Sequence, residues 1–187
     1  MLEQYLINHC APTLASLKTA NLFNCTAENP TALQMAVSRW QALLAPKGVE
    51  LLLLRESGNR ALVYVYRPDR LARDLQQPGV AAFLAHCGYA GTAPAACLDV
   101  LRRKLAVSSD FPHEIGLFLG YPLGDVIGFI ENHGQNCLCC GVWKVYTNPE
   151  AAAGAFRKFS KCTRVYRRLF FGGQRNVEQL TVKRTKP

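Results

Sequence analysis

Residues 49–68, "VELLLLRESGNRALVYVYRP", decide the fold. Two apolar runs flank Ser57-Gly58-Asn59, and a Gly-Asn pair is what a tight hairpin turn demands, because glycine reaches backbone angles closed to residues with a Cβ. Leucine, valine and tyrosine fill the runs. Pro68 closes the second, having no amide to continue a ladder. The stretch predicts two antiparallel strands.

Upstream, "PTALQMAVSRWQALLAPKG" (30–48) predicts a helix. Leu33, Val37, Trp40 and Leu44 recur at helical spacing, Pro30 and Thr31 start it, and Pro46 and Gly48 stop it. The N-terminal segment before it contains a turn-prone Ala11-Pro12. Downstream, "DRLARDLQQPGVAAFLAHCGY" (69–89) predicts one or two short helices broken at Pro78-Gly79. "PAACLDVLRRKLAVSS" (94–109) predicts another, with Leu98, Leu101 and Leu105 on one face.

"EIGLFLG" (114–120), apolar and bounded by Pro112 and by Gly120-Tyr121-Pro122, predicts a buried strand. "PLGDVIGFIENHG" (122–134) predicts a helix with Pro122 near its start and Gly134 beyond its end. "CCGVWKVYT" (139–147) predicts a fourth strand. "NPEAAAGAFRKFSKCTRVYRRLFFGG" (148–173) predicts a helix with Asn148 as N-cap, Pro149 at its first position and Gly172 as stop. The expected class is α+β, with about four strands in a mixed or antiparallel sheet covered by about four to six helices. A single domain over 1–187 is expected, with a basic C-terminal helix and tail from about residue 149.

With 187 residues, 49% hydrophobic and 19% charged, the chain is long enough to bury a core and too apolar for disorder. No apolar run reaches the roughly 18 residues of a membrane span. "MLEQYLINHCAPTLASLK" carries Glu3 and no basic n-region, so a cytoplasmic protein is expected. The net charge of +9 is unevenly spread: residues 157–187 hold ten basic side chains and one acid, Glu178, and the rest of the chain is balanced.

"HCAPTLASLK" (9–18), "FPHEIGLFLGYPLGDVIGFI" (111–130), "GVWKVY" (141–146) and the Ala-rich helix carrying "KC" resemble a family of uncharacterised bacterial proteins common in anaerobic Firmicutes, known as a domain of unknown function. The resemblance implies a single domain and a cytoplasmic setting, with no established activity. It associates such chains with flavodoxin and ferrous-iron transport genes. The "CLCC" at 137–140 departs from the family pattern.

Four constellations have the chemistry for a site. The first is His113, Glu114, Tyr121 and Asp125. A histidine beside a carboxylate suits a general base, a ligand or a pH-sensitive group. The plainer reading is a strand-end histidine, with Asp125 favourable at a helix N-terminus for the dipole alone. Adjacent strand residues point to opposite faces, so His113 and Glu114 are not expected in one pocket. The second is His9, Cys10, Thr13 and Lys18, in which Cys10 reads as buried rather than activated and Lys18 as an anion contact.

The third is His133 with Cys137, Cys139 and Cys140. Their donors are soft, but they lack the two separated pairs of a zinc site, so no metal is expected. Cys25, Cys87 and Cys97 read as small buried hydrophobes. On the strand expected there, Cys140, Lys144 and Tyr146 share one face and Trp143 takes the other. Lys144 then needs a carboxylate such as Glu114 or Asp125, or an anionic ligand. The fourth is the basic stripe Arg157, Lys161, Arg164 and Arg168, opposite Phe156, Phe159, Tyr166 and Phe170. It reads as a solvated face or as a dock for an acidic protein such as a flavodoxin. The lack of a helix-turn-helix, zinc-finger or ribonucleoprotein signature argues against nucleic acid.

The leading expectation is a pocket for a small anionic ligand or cofactor, drawing on Lys18, His113, Glu114, Tyr121, Asp125, Lys144 and Tyr146. The alternative is a noncatalytic accessory protein, redox- or iron-related, that docks an acidic partner. No nucleophile–base pair stands out, and the sequence leaves enzymatic activity open.

Overall fold

Three strands, β1 (Ala20–Thr26), β2 (Glu50–Ser57) and β3 (Arg60–Tyr66), form an antiparallel sheet in the order β1-β3-β2. Ser57 pairs with Arg60, so Gly58 and Asn59 alone make the hairpin turn. Gly58 takes a φ of 58°, the positive first position of a type II′ turn, whose twist matches that of the strands it joins. The register shifts between Leu53 and Arg55, where β2 bulges at Leu54.

The computed structural model describes residues 2–107 and 111–183. The protein is α+β, and its contacts divide the chain into two units, Met1–Asp69 with Phe159–Pro187, and Arg70–Lys158. In the first unit the sheet packs with α1 (Leu2–Leu14) and α2 (Pro30–Leu44). Leu6, Ile7, Cys10 and Leu14 from α1 meet Leu33, Val37, Trp40 and Leu44 from α2 and Val63 and Val65 from β3 in one apolar core. Asn29 caps α2 by accepting from the Ala32 amide at 2.8 Å.

Two features of this unit depart from the sequence reading. Ala11-Pro12 is no turn: Pro12 lies inside α1. It sits close enough to the helix end that few intrahelical bonds are forfeited, and burial of the apolar face dominates. The strand β1 carries no clear sequence signal, because Asn21 and Asn24 interrupt the apolar pattern of "ANLFNCT".

The second unit begins with α3 (Pro68–Leu75), whose last residues belong to it, then α4 (Val80–His86) and α5 (Pro94–Val107). Leu98, Leu101 and Leu105 of α5 are buried; Ser108 and Ser109, expected to prolong it, lie outside the described residues. Then come α6 (Ile115–Phe118), α7 (Leu123–Glu131), and a two-stranded ribbon of β4 (Cys139–Cys140) and β5 (Lys144–Val145). α8 (Pro149–Phe171) follows, and its residues from Phe159 onward belong to the first unit, as does α9 (Val177–Leu180).

Two expected strands are corrected here. "EIGLFLG" is the helical turn α6, closed by paired bonds from Tyr121 N to Gly116 O (2.9 Å) and from Gly120 N to Leu117 O (3.0 Å). Gly120 sits at a φ of 75°, as this helix-ending motif requires. Every residue of α6 is buried. A turn covered on all sides carries no 3.6-residue periodicity, so a short apolar run reads equally as a strand. "CCGVWKVYT" is not one strand but two, folded back at Gly141-Val142-Trp143, so that Cys140 and Lys144 face each other across the ribbon. The expected four-stranded sheet is thus a three-stranded sheet and a separate two-stranded ribbon.

Candidate functional site

The glycines of residues 111–130 bring segments together in the second unit. A Cβ at Gly124 would fall 2.6 Å from Thr147 Cγ2, and one at Gly128 would fall 2.5 Å from Tyr146 Cγ. Only bare backbone on this face of α7 lets residues 146–147 approach so closely. Gly116 plays the same part against Val126, where an added Cβ would lie 2.8 Å from Cγ2.

Asp125, on the same helix, locks the contact. Its Oδ1 accepts from Tyr146 N (2.8 Å), Thr147 N (2.9 Å) and Thr147 Oγ1 (2.7 Å). Its Oδ2 accepts from Trp143 Nε1 at 2.8 Å. Burial alone would raise the pKa of this carboxyl, but these donors favour the charged form more strongly and hold it below the ordinary aspartate value. With both oxygens engaged, Asp125 acts as a positioning group for Trp143 and the chain that follows.

The result is a cavity of about 470 Å³ between α6, α7 and the ribbon. Its walls are mainly apolar. The rings of Phe111, Tyr121, Phe129 and Trp143 line it with the imidazole of His113, and Ile115, Leu119 and Val126 fill between them. Tyr121 stacks on Trp143 at 4.9 Å and 26°, and the indole meets the Phe156 ring in a T-shaped contact at 4.6 Å. Burial pushes the Tyr121 phenol up to about 12, so it stays protonated at neutral pH. Phe111 and Val142, both on the lining, are 41% and 43% exposed.

Two basic groups lie near Phe129. The His113 ring lies 5.0 Å from the Phe129 centroid, and Lys144 Nζ lies 5.9 Å from it. Lys144 donates to Gly134 O at 2.6 Å. It meets neither Glu114 nor Asp125, and Glu114 makes its salt bridge with Lys104. An ammonium has three donors, so this bond leaves capacity for a further acceptor.

The sequence-derived set is therefore divided. His113, Tyr121, Asp125 and Lys144 share the cavity lining, together with Cys140. Glu114 turns away: its Oε1 accepts from Lys104 Nζ at 2.5 Å and from Tyr89 Oη at 3.1 Å. Neither of those partners was singled out from the sequence. Tyr146 gives its amide to Asp125 and its hydroxyl to Gln135 O at 2.9 Å, outside the lining. Lys18 belongs to the first unit, where it is buried and donates to Ala20 O.

His113 and Glu114 do diverge, but from a turn leading into α6 rather than from a strand. Cys10 is fully buried and burial drives its thiol pKa far upward, which removes thiolate character. Cys25 and Cys97 are buried and Cys87 is half-buried. All three cysteines of the ribbon region are free thiols, Cys140 exposed, and among the described residues no group of three or more His, Cys, Asp or Glu is placed to hold a metal ion. Phe111 and Phe129 escaped the sequence reading because a cavity wall and a core use the same residues.

On α8, Arg157, Lys161, Arg164 and Arg168 are all exposed, while Phe156, Phe159, Tyr166 and Phe170 on the other side are half-buried. Among the described residues no helix is long and apolar enough to cross a membrane. No curated protein and no solved structure gives a significant match to this chain. Residues 6–181, nearly its whole length, match the model of a family described as a protein of unknown function, DUF3793, and the chain belongs to that family.

Proposed function

We propose that the second unit binds a small anionic ligand or cofactor in the cavity formed by α6, α7 and the ribbon. The observation that carries this reading is the pairing of a largely apolar cavity of about 470 Å³ with the basic groups Lys144 and His113, both near the Phe129 ring. Ligand pockets have this character: apolar walls supply affinity, and a few convergent polar groups set orientation. Asp125 supports the reading indirectly, since its buried charge holds Trp143 in the wall. The reading needs no catalytic step.

Native mass spectrometry and absorption spectra of protein purified with and without air test it. The expected result is a bound mass in wild type that falls in Lys144→Ala, with thermal unfolding nearly unchanged. A protein that carries and captures no anion in either form would overturn it.

A second reading is favoured by the exposure of all four stripe residues of α8: the protein docks an acidic partner protein, for which a flavodoxin is the example the family resemblance implies. Opposed charges would accelerate encounter and make it salt-sensitive.

A further inference from the structure

The cavity in the second unit also carries information about the shape of what it holds. Five of its lining residues present rings: Phe111, His113, Tyr121, Phe129 and Trp143. They are not scattered. Tyr121 and Trp143 stack as one wall, and His113 packs against Phe129 as another. The Lys144 ammonium lies beside Phe129, while the indole N–H of the Tyr121–Trp143 wall is taken up by Asp125, whose carboxylate is also on the lining but already accepts from four donors. The Tyr121 hydroxyl donates to Val142 O at 3.4 Å, and the rest of that wall is carbon.

We infer that the ligand is a planar aromatic or conjugated anion, with its ring system against Tyr121 and Trp143 and its acidic group at Lys144 and His113. The inference rests on the anion-pocket reading above and narrows it. Flat ligands fit ring-lined walls because offset and edge-on ring contacts add to simple area burial. A rigid ring system also loses less conformational freedom on binding than an alkyl chain of equal area. The exposed Phe111 and Val142 extend the apolar lining toward solvent.

Calorimetric titration of the full chain with three probes separates the parts of the inference. 2-Naphthoate is planar and anionic, octanoate is anionic and flexible, and 2-naphthylmethanol is planar and neutral. The expected order has 2-naphthoate tighter than either other probe by about tenfold or more. Lys144→Met should bring 2-naphthoate down to the level of the alcohol. Tyr121→Leu should narrow the gap between 2-naphthoate and octanoate, with octanoate binding little changed. Thermal unfolding of each variant verifies that it is folded, and the probe order in wild type stands without them. Octanoate binding as tightly as 2-naphthoate would overturn the planar class while leaving an anion pocket. The alcohol binding as tightly as 2-naphthoate would overturn the anionic part, and with it the reading on which it rests. No probe binding more tightly than about 1 mM would overturn both.

Discussion

In each of the two units a buried charged side chain clamps neighbouring segments, Arg67 in the first and Asp125 in the second, and the two do so to opposite ends. In the first unit Arg67, 4% exposed, donates to main-chain carbonyls: Nε to Thr13 O (2.7 Å), and Nη2 to Leu14 O (2.7 Å) and Val182 O (2.9 Å). A longer bond runs from Nη1 to Lys47 O at 3.3 Å. It thus gathers the end of α1, the turn after α2 and the segment after α9, beside a filled apolar core. In the second unit Asp125, 3% exposed, gathers amide, hydroxyl and indole donors. Beside it lies a cavity. A cation on carbonyls closes a packed unit; an anion on donors holds a wall around open space.

The largest effect is expected at Arg67. Arg67→Met keeps much of the stem but strips the donors from several carbonyls, each costing about 1–3 kcal/mol when left unpaired in the interior. The expected loss is about 4 kcal/mol or more by denaturant unfolding. A loss below about 1 kcal/mol would mean that water serves these carbonyls equally well.

Asp125→Asn should cost less, about 2–4 kcal/mol at neutral pH, because the amide still accepts with one oxygen but turns an N–H₂ toward another donor. The pH dependence gives the sharper reading. The folded pKa of Asp125 is lowered, so its contribution is complete above the unfolded aspartate value of about 3.9. It is lost as pH falls through the lower folded value. Urea unfolding at neutral and at acid pH should therefore show the gap between wild type and variant shrinking on the acid side. A constant gap would locate the effect in packing.

How much of this was legible in the sequence follows from what each signal depends on. The hairpin at Gly58-Asn59 and helix α2 depend on local chemistry and regular spacing, and the sequence carries both. The turn α6 and the ribbon depend on surroundings: four buried residues in a row have no period, and Gly141 folds a strand that alternation would continue. His113, Tyr121, Asp125 and Lys144 could be chosen as polar residues near turns. Nothing local marked Glu114 as the partner of Lys104, ten residues before it on another helix, or Arg67 as a clamp reaching Val182.

Gly128 tests the close approach that builds the cavity wall. In Gly128→Ala the new methyl would start 2.5 Å from the Tyr146 ring, and α7 would have to move away from residues 146–147. Overpacking of this kind costs about 1–3 kcal/mol, against a helix-propensity gain of about 1 kcal/mol for alanine over glycine. The net expectation is a loss of about 1 kcal/mol, with weaker 2-naphthoate capture as Asp125 loses its grip on the segment. Stability and capture unchanged together would show that the wall tolerates the shift.

The smallest effect on stability is expected on α8. Arg157, Lys161, Arg164 and Arg168 are exposed, and exposed substitutions usually stay within about 0.5 kcal/mol each. Reversing all four to Glu also places one negative charge, at position 168, in the last turn of the helix, where the dipole disfavours it by about 0.3 kcal/mol or more. Unfolding should therefore shift slightly, while the charge excess that singles out residues 157–187 largely disappears. If α8 docks an acidic partner, surface capture of a flavodoxin by wild type should slow as salt rises, and the reversed variant should lose both the fast association and its salt dependence. A nucleic-acid pool run in parallel checks whether the attraction is particular to the protein. Equal capture by wild type and variant would reduce the stripe to a solvated face, and leave the cavity of the second unit as the chemistry this chain offers.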